Sequence, residues 1–250
     1  MHKLETNNIT MRFGEKTIIQ DVSLCVDEGE LVSLLGVSGS GKTTLFNCIS
    51  GLYTPTEGRV FLDGEDITGQ TGRISYMLQK DLLLPYKTIV DNVALPLLLK
   101  GQTKIEAREE ASKHFAEFGL EGTEQMYPKQ LSGGMRQRAA LLRTWLFSDN
   151  VALLDEPFSA LDTITKGKIH RWYLDVMEKI RLTTVFITHD INEAILLSDR
   201  VCIMAGRPGT IRGEFRIAMP RSDRAGYDLS DEFMNYKRQI MEILDQSDLP

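Results

Sequence analysis

No stretch of this chain is apolar for long enough to cross a bilayer as a helix. The longest apolar run, residues 93–99, contains Pro96 and falls far short of the roughly 20 residues that a span needs. The first residues, Met1-His2-Lys3-Leu4-Glu5, are too polar to open a signal peptide. The expectation is an intracellular protein whose contact with any membrane is peripheral. Cysteine is scarce as well. Cys25, Cys48 and Cys202 are odd in number and far apart, which implies neither a disulfide framework nor a metal-ligand spacing. Each is expected as a small core residue. Basic charge is not in excess: 29 Lys and Arg stand against 35 Asp and Glu, and the net charge of −6 argues against a non-specific nucleic-acid binder. There is no internal repeat, linker or low-complexity segment. What remains is 250 residues of ordinary apolar and charged content, enough for one α/β domain or two small lobes with a well-buried core.

The chain is organised around Gly36-Val37-Ser38-Gly39-Ser40-Gly41-Lys42-Thr43, which fits the phosphate-binding pattern G-x-x-x-x-G-K-[ST] at every fixed position. Leu31 to Leu35 precede it as a short buried strand, and Thr44 to Ser50 follow as a helix with Gly51 as its stop. A triphosphate needs many donors close together, and backbone N–H groups supply them only where the chain curls tightly. Gly36, Gly39 and Gly41 permit that curl because they lack a β-carbon. The helix that follows turns its unpaired N–H groups and a partial positive charge toward the phosphates. Lys42 adds a point charge for the β- and γ-phosphates, and the Thr43 hydroxyl can ligate Mg²⁺.

Elsewhere the pattern alternates strands with helices. Residues 4–13 and 17–26 read as a hairpin or edge sheet around Gly14-Glu15, with Phe13 at the end of the first strand, where it could fill a core or stack on an adenine. Strands are expected at 58–64 and at 73–78, the second delivering Gln79 to a loop, from which it could reach a metal-bound water or a γ-phosphate. Residues 80–130 change character: the apolar loop Leu82-Leu83-Leu84-Pro85-Tyr86 leads to helical patterns at 88–99 and 104–118. We read a helical insert whose apolar loop is either a docking surface or core between lobes. Ser132-Gly133-Gly134 opens a strong helix through Phe147, a second helix start rich in donors. The buried strand Val151 to Leu154 ends in Asp155 and Glu156, the first placed to hold Mg²⁺ and the second to polarise a water. An amphipathic helix at 163–181 leads to the strand Thr183 to Thr188, which delivers His189 where open α/β sheets place their chemistry. A helix at 191–197, strands near 200–204 and 210–218, and a polar acidic tail with a helix at 230–245 complete the chain.

This set of motifs resembles the ATP-binding subunit of ATP-binding-cassette (ABC) transporters, over about residues 4–218. The most diagnostic element is Leu131-Ser132-Gly133-Gly134, the family signature, standing ahead of Val151 to Glu156. The resemblance implies an α/β fold: a P-loop NTPase core with an antiparallel β subdomain and an α-helical insert at about 80–148, the cassette occupying 1–218 and a helical tail 219–250. It implies that Gly36, Val37, Ser38, Gly39, Ser40, Gly41, Lys42, Thr43, Thr44 and Gln79 bind ATP, and that Phe13 stacks on its adenine. Glu156 would be the catalytic carboxylate, with His189 and Lys42 acting on the γ-phosphate, and Thr43, Gln79 and Asp155 would serve Mg²⁺. Two cassettes, expected as identical copies, would pair head to tail. Ser132, Gly133 and Gly134 would then complete the partner's site, with Ser159-Ala160-Leu161-Asp162 as the loop between subunits. The further partners implied are a transmembrane permease and, through it, a solute-binding protein, which puts the chain at the cytoplasmic face of the membrane. Leu-Ser-Gly-Gly-Met-Arg-Gln-Arg, Asp-Glu-Pro-Phe-Ser-Ala-Leu-Asp and the late Arg207-Pro208-Gly209 are similar to the nitrate/sulfonate/taurine importer group, which itself resembles importers of pyrimidine vitamin precursors. Met135 stands where many members have glutamine, Tyr86 where tryptophan is more usual, and Phe13 where tyrosine is commoner. A soluble ABC ATPase acting on nucleic acid or in translation is the alternative, but the chain has no second cassette, long coiled-coil insert or basic stripe.

Overall fold

A computed structural model describes residues 2–148, 150–159, 163–224 and 226–247. The chain opens with an antiparallel pair, β1 (Leu4–Phe13) and β2 (Lys16–Val26), turned at Gly14-Glu15. β4 (Glu57–Leu62) pairs with the other edge of β1, and a two-residue β5 (Glu65–Asp66) closes a four-stranded sheet of order β2-β1-β4-β5.

The second sheet has six strands. β3 (Leu31–Leu35), β6 (Ser75–Met77), β7 (Val151–Asp155), β8 (Thr183–Thr188) and β9 (Arg200–Ala205) run parallel, and β10 (Thr210–Arg216) runs back along β9. The order is β10-β9-β3-β8-β7-β6. β3, β7, β8 and β9 are buried along their whole length, as their unbroken apolar runs require when both faces of a parallel sheet are covered. Alternate side chains go to different cores. Val32, Leu34, Leu153, Val185 and Ile187 pack with Leu4, Val22 and Leu45 between the sheets. Leu154 and Phe186 pack on the opposite face with Leu142 and Tyr173.

The helices are α1 (Lys42–Ile49), α2 (Ile89–Val93), α3 (Leu95–Leu99), α4 (Lys104–Lys113), α5 (Gly133–Phe147), α6 (Thr163–Ile180), α7 (Ile191–Leu197) and α8 (Asp231–Ser247). Between β6 and β7 the described residues form helices and turns and no strand. The single helix expected over 88–99 is two, divided at Ala94, with Pro96 in the first turn of α3, where its missing N–H costs no helical bond. The helix expected to reach 118 stops at Lys113, and the chain turns through 114–119 to Gly119 at φ +62°. α8 lays Phe233 and Ile240 onto Ile195, Val201 and Ile203, so the tail is packed on the six-stranded sheet rather than trailing from it. No helix of the described residues is long and apolar enough to cross a membrane.

Candidate active site

β3, β8, β7 and β6 are consecutive neighbours in one parallel sheet, so their carboxyl ends lie side by side. That order brings together groups far apart in sequence: the glycine-rich loop after β3, His189 after β8, Asp155 and Glu156 at the end of β7, and Gln79 just beyond β6. They surround a cleft of about 660 Å³ lined by Ser38, Gly39, Gly41, Lys42, Thr43 and Thr44 on one side, and by Gln79, Asp155, Glu156 and His189 on the other. Ile18 and Ile187 supply its apolar wall.

The loop's glycines are needed for different reasons. Gly41 caps α1 at φ +93°, and a β-carbon there would also lie 2.3 Å from Ile19 Cγ2. Gly39, at φ +85°, has room beside it and needs only its backbone freedom. Gly36 is a matter of space: a β-carbon would stand 2.0 Å from the Met204 carbonyl oxygen. The turn Arg207-Pro208-Gly209 backs the loop from outside, since Gly209 could carry no β-carbon without meeting the Ser40 carbonyl at 1.9 Å. α1 begins at Lys42 rather than at Thr44, so Lys42 and Thr43 are themselves its first turn. Ser40 Oγ is buried and has no hydrogen-bond partner among the described residues.

Lys42 Nζ donates to the carbonyls of Gly36 at 2.8 Å and Val37 at 2.9 Å, which uses two of its three donors. Burial pushes its pKa down, opposed by the charges of Glu156 and Asp155. The Thr43 hydroxyl donates to Asp155 Oδ2 at 3.1 Å. Burial pushes the Asp155 carboxyl above the usual carboxylate range, the Thr43 hydrogen bond works against that shift, and the neighbouring Glu156 adds to it. A hydroxyl beside a buried carboxylate in want of positive charge is a hard-oxygen donor set that fits Mg²⁺. Among the described residues no group of three or more His, Cys, Asp and Glu forms a metal cage.

Glu156 is held from two sides. Gln79 Nε2 donates to Oε2 at 2.9 Å, and His189 Nδ1 stands 3.1 Å from Oε1. An ionised carboxylate only accepts, so the ring nitrogen is the donor. The Glu156 backbone sits at φ +46°, in the left-handed region that a non-glycine residue enters at a cost. It stays there because its N–H donates to the Ile187 carbonyl on β8 and its carbonyl accepts from both the N–H and the hydroxyl of Ser159.

Other expected groups lie elsewhere. Ser132 caps α5, accepting from the Met135 N–H at 3.3 Å, and Ser132, Gly133 and Gly134 do not line the cleft. Phe13 is about half exposed and meets Tyr53 edge to face at 5.6 Å, also off the cleft wall. Gly36, Val37 and Ser40 support the loop without lining it. Ser159 is bonded to Glu156, whereas Ala160, Leu161 and Asp162 fall outside the described residues. Sequence reasoning missed Ile18 and Tyr53. It also missed Arg136 and Arg143 of α5, which hold the loop after Gln79: Arg136 Nε pairs with Asp81 at 3.1 Å, and Arg143 donates to the carbonyls of Asp81 and Leu82. No local pattern marks these, because each depends on an element distant in sequence.

A phosphate loop at the switch point of a parallel sheet, facing acidic strand ends, defines a nucleoside-triphosphate hydrolase of the P-loop class. Residues 19–159 match the family described as ABC transporter. The chain is 42% identical over 236 residues to the formylaminopyrimidine import ATP-binding protein of Halalkalibacterium halodurans, covering 93% of this chain and 92% of that one. It is 35% identical over 237 residues to the nitrate import ATP-binding protein of Synechocystis sp., covering 92% and 89%. A solved dimeric ATP-binding cassette in a post-hydrolysis state, bound to ADP and Pi, superposes with a TM-score of 0.73 at 32% identity, over 87% of this chain and all of the other. The chain belongs to the ABC transporter family, as one of its ATPase cassettes.

Proposed function

We propose that this chain is the ATP-hydrolysing subunit of an importer for a small solute of the nitrate, sulfonate or pyrimidine-precursor kind. It works as a pair of cassettes bound peripherally to a separate permease at the cytoplasmic face of the membrane. The observation that carries the catalytic part is the Glu156 carboxylate, fixed between Gln79 and His189 and facing Lys42 across one cleft. Homology to import proteins carries the transport part.

The loop N–H groups and the first turn of α1 bind the phosphates of ATP, and Lys42 neutralises them. Phe13, in T-shaped contact with Tyr53, stacks on the adenine. Thr43, Asp155 and the Gln79 amide oxygen would hold Mg²⁺, which would supply positive charge against the phosphoryl oxygens. Glu156 accepts the proton of the attacking water, and His189 holds the carboxylate and reaches the γ-phosphate. Ser132, Gly133 and Gly134 complete the partner's site, with Ser159 at the contact between subunits. Leu82 and Tyr86 are exposed on the helical side and form the apolar surface for the permease.

The test is affinity capture of the chain from detergent-solubilised native membranes, with mass spectrometry of what comes with it. A multi-span permease together with a solute-binding protein supports import. Recovery only with ribosomes, nucleic acid or soluble proteins removes transport and favours the soluble-ATPase alternative.

A further inference from the structure

Behind the cleft lies a second polar cluster that the reaction as described does not use. Thr188, the last residue of β8, is buried, and its hydroxyl donates to Glu193 Oε2 at 2.7 Å while accepting from the Asp190 N–H at 3.0 Å. Glu193, in the first turn of α7, is only 4% exposed. Its other oxygen stands 3.6 Å from His170 Nε2 on α6, an electrostatic contact rather than a hydrogen bond. The His170 ring in turn meets Phe158 edge to face at 4.9 Å. Phe158 is two residues beyond Glu156, and Thr188 directly precedes His189. None of these four side chains lines the cleft.

The contacts therefore close a ring. In front, His189 touches Glu156. Behind, Phe158, His170, Glu193 and Thr188 join the same two loops through the protein interior. A buried carboxylate is costly unless hydrogen-bonded, and an apolar side chain of similar size would pack there at no such cost. What the carboxylate adds is direction. It takes the single proton of Thr188, which turns a Thr188 lone pair toward the Asp190 N–H and so fixes the backbone on both sides of His189.

We propose that Thr188 and Glu193 are positioning residues for His189, and that His170 registers the loop after Glu156 against them. The proposal rests on the catalytic reading above. The test is steady-state ATP hydrolysis by the full chain as wild type, Thr188→Val and Thr188→Ser. Valine keeps the shape and the strand preference but removes the hydroxyl. Thr188→Val is expected to lower kcat about tenfold to a hundredfold, as a small misplacement of a catalytic group does, with KM for ATP within about twofold of wild type. Thr188→Ser, which keeps the hydroxyl, is expected to stay near wild type. Thr188→Val with unchanged kcat overturns the proposal, and so does Thr188→Ser as slow as the valine variant. Absence of hydrolysis by the wild type would remove the catalytic reading itself, so the two failures are told apart.

Discussion

At the scale of single residues, Glu156 concentrates what is unusual in this chain. It combines a left-handed backbone with a carboxylate gripped by two donors, and the strain persists because β8 and Ser159 fix its backbone. Glu156→Gln leaves the shape and removes the carboxylate proposed as the base. Phosphate release is expected to fall by at least about a hundredfold, while a fluorescent ATP analogue still binds and the ATP-bound dimer accumulates on size exclusion. Rapid hydrolysis by that variant would take Glu156 out of its role. The residue types around the cleft were legible because each closes a strand or opens a helix: Lys42 by its spacing from the glycines, Asp155 and Glu156 by the apolar run before them. The Glu156 backbone was not, since its φ comes from a hydrogen bond to Ile187, 31 residues on. Nor was the reason for Gly36, whose neighbour Met204 arrives only when β9 docks beside β3.

Among elements, the strands that flank the site were readable to within a residue or two, because buried parallel strands are short unbroken apolar runs. β8 and α7 fell within the limits expected from sequence. Their order in the sheet was not readable: β3 sits between β8 and β9, which follow it by about 150 residues, and local periodicity says nothing of pairing. The tail shows the same limit. Arg224 looks like one more surface charge in a polar segment, yet it is buried. It donates to the carbonyls of Ile195, Leu196 and Ser198 at the end of α7, and to that of Met219. Arg224→Ala would strand those carbonyls, at a cost of about 3 kcal/mol, seen as a melting temperature lower by roughly 6–12 °C. A shift within a degree or two would show that the tail is not fastened there. The helical segment carries a pH-dependent clip of its own. Arg108 of α4 grips Asp91 of α2 with two bonds of 2.7 Å, and those bonds hold the Asp91 carboxyl below its ordinary 3.8 against the opposing effect of burial. A depressed carboxyl stabilises above its unfolded value and loses that contribution as pH falls through the folded one. Asp91→Asn should therefore melt below wild type at pH 7, by on the order of 1 kcal/mol given the exposure of Arg108. The gap should close as the pH falls below 3.8; a gap equal at both ends would assign the effect to packing.

For the whole molecule, the decisive feature is a separation. The cleft holds Lys42, Glu156 and His189, but the signature residues Ser132, Gly133 and Gly134 do not line it. If, as proposed, two cassettes pair head to tail with each cleft meeting the partner's signature, one chain alone carries two unlike half-sites. Lys42→Ala damages the cleft and spares the signature; Ser132→Arg fills the signature and spares the cleft. Each variant by itself is expected to be nearly inactive, since every site in its dimer carries the same lesion. A mixed dimer differs: the intact cleft of the Ser132→Arg chain faces the intact signature of the Lys42→Ala chain. Random pairing of equal amounts makes about half the dimers mixed, each with one whole site, so about a quarter of the wild-type sites return. Phosphate release by the mixture should rise well above that of either variant, and more so at higher protein concentration, where dimers form. A mixture that stays at the sum of its parts, with wild type equally active per chain at every concentration, would mean that one chain completes its own site.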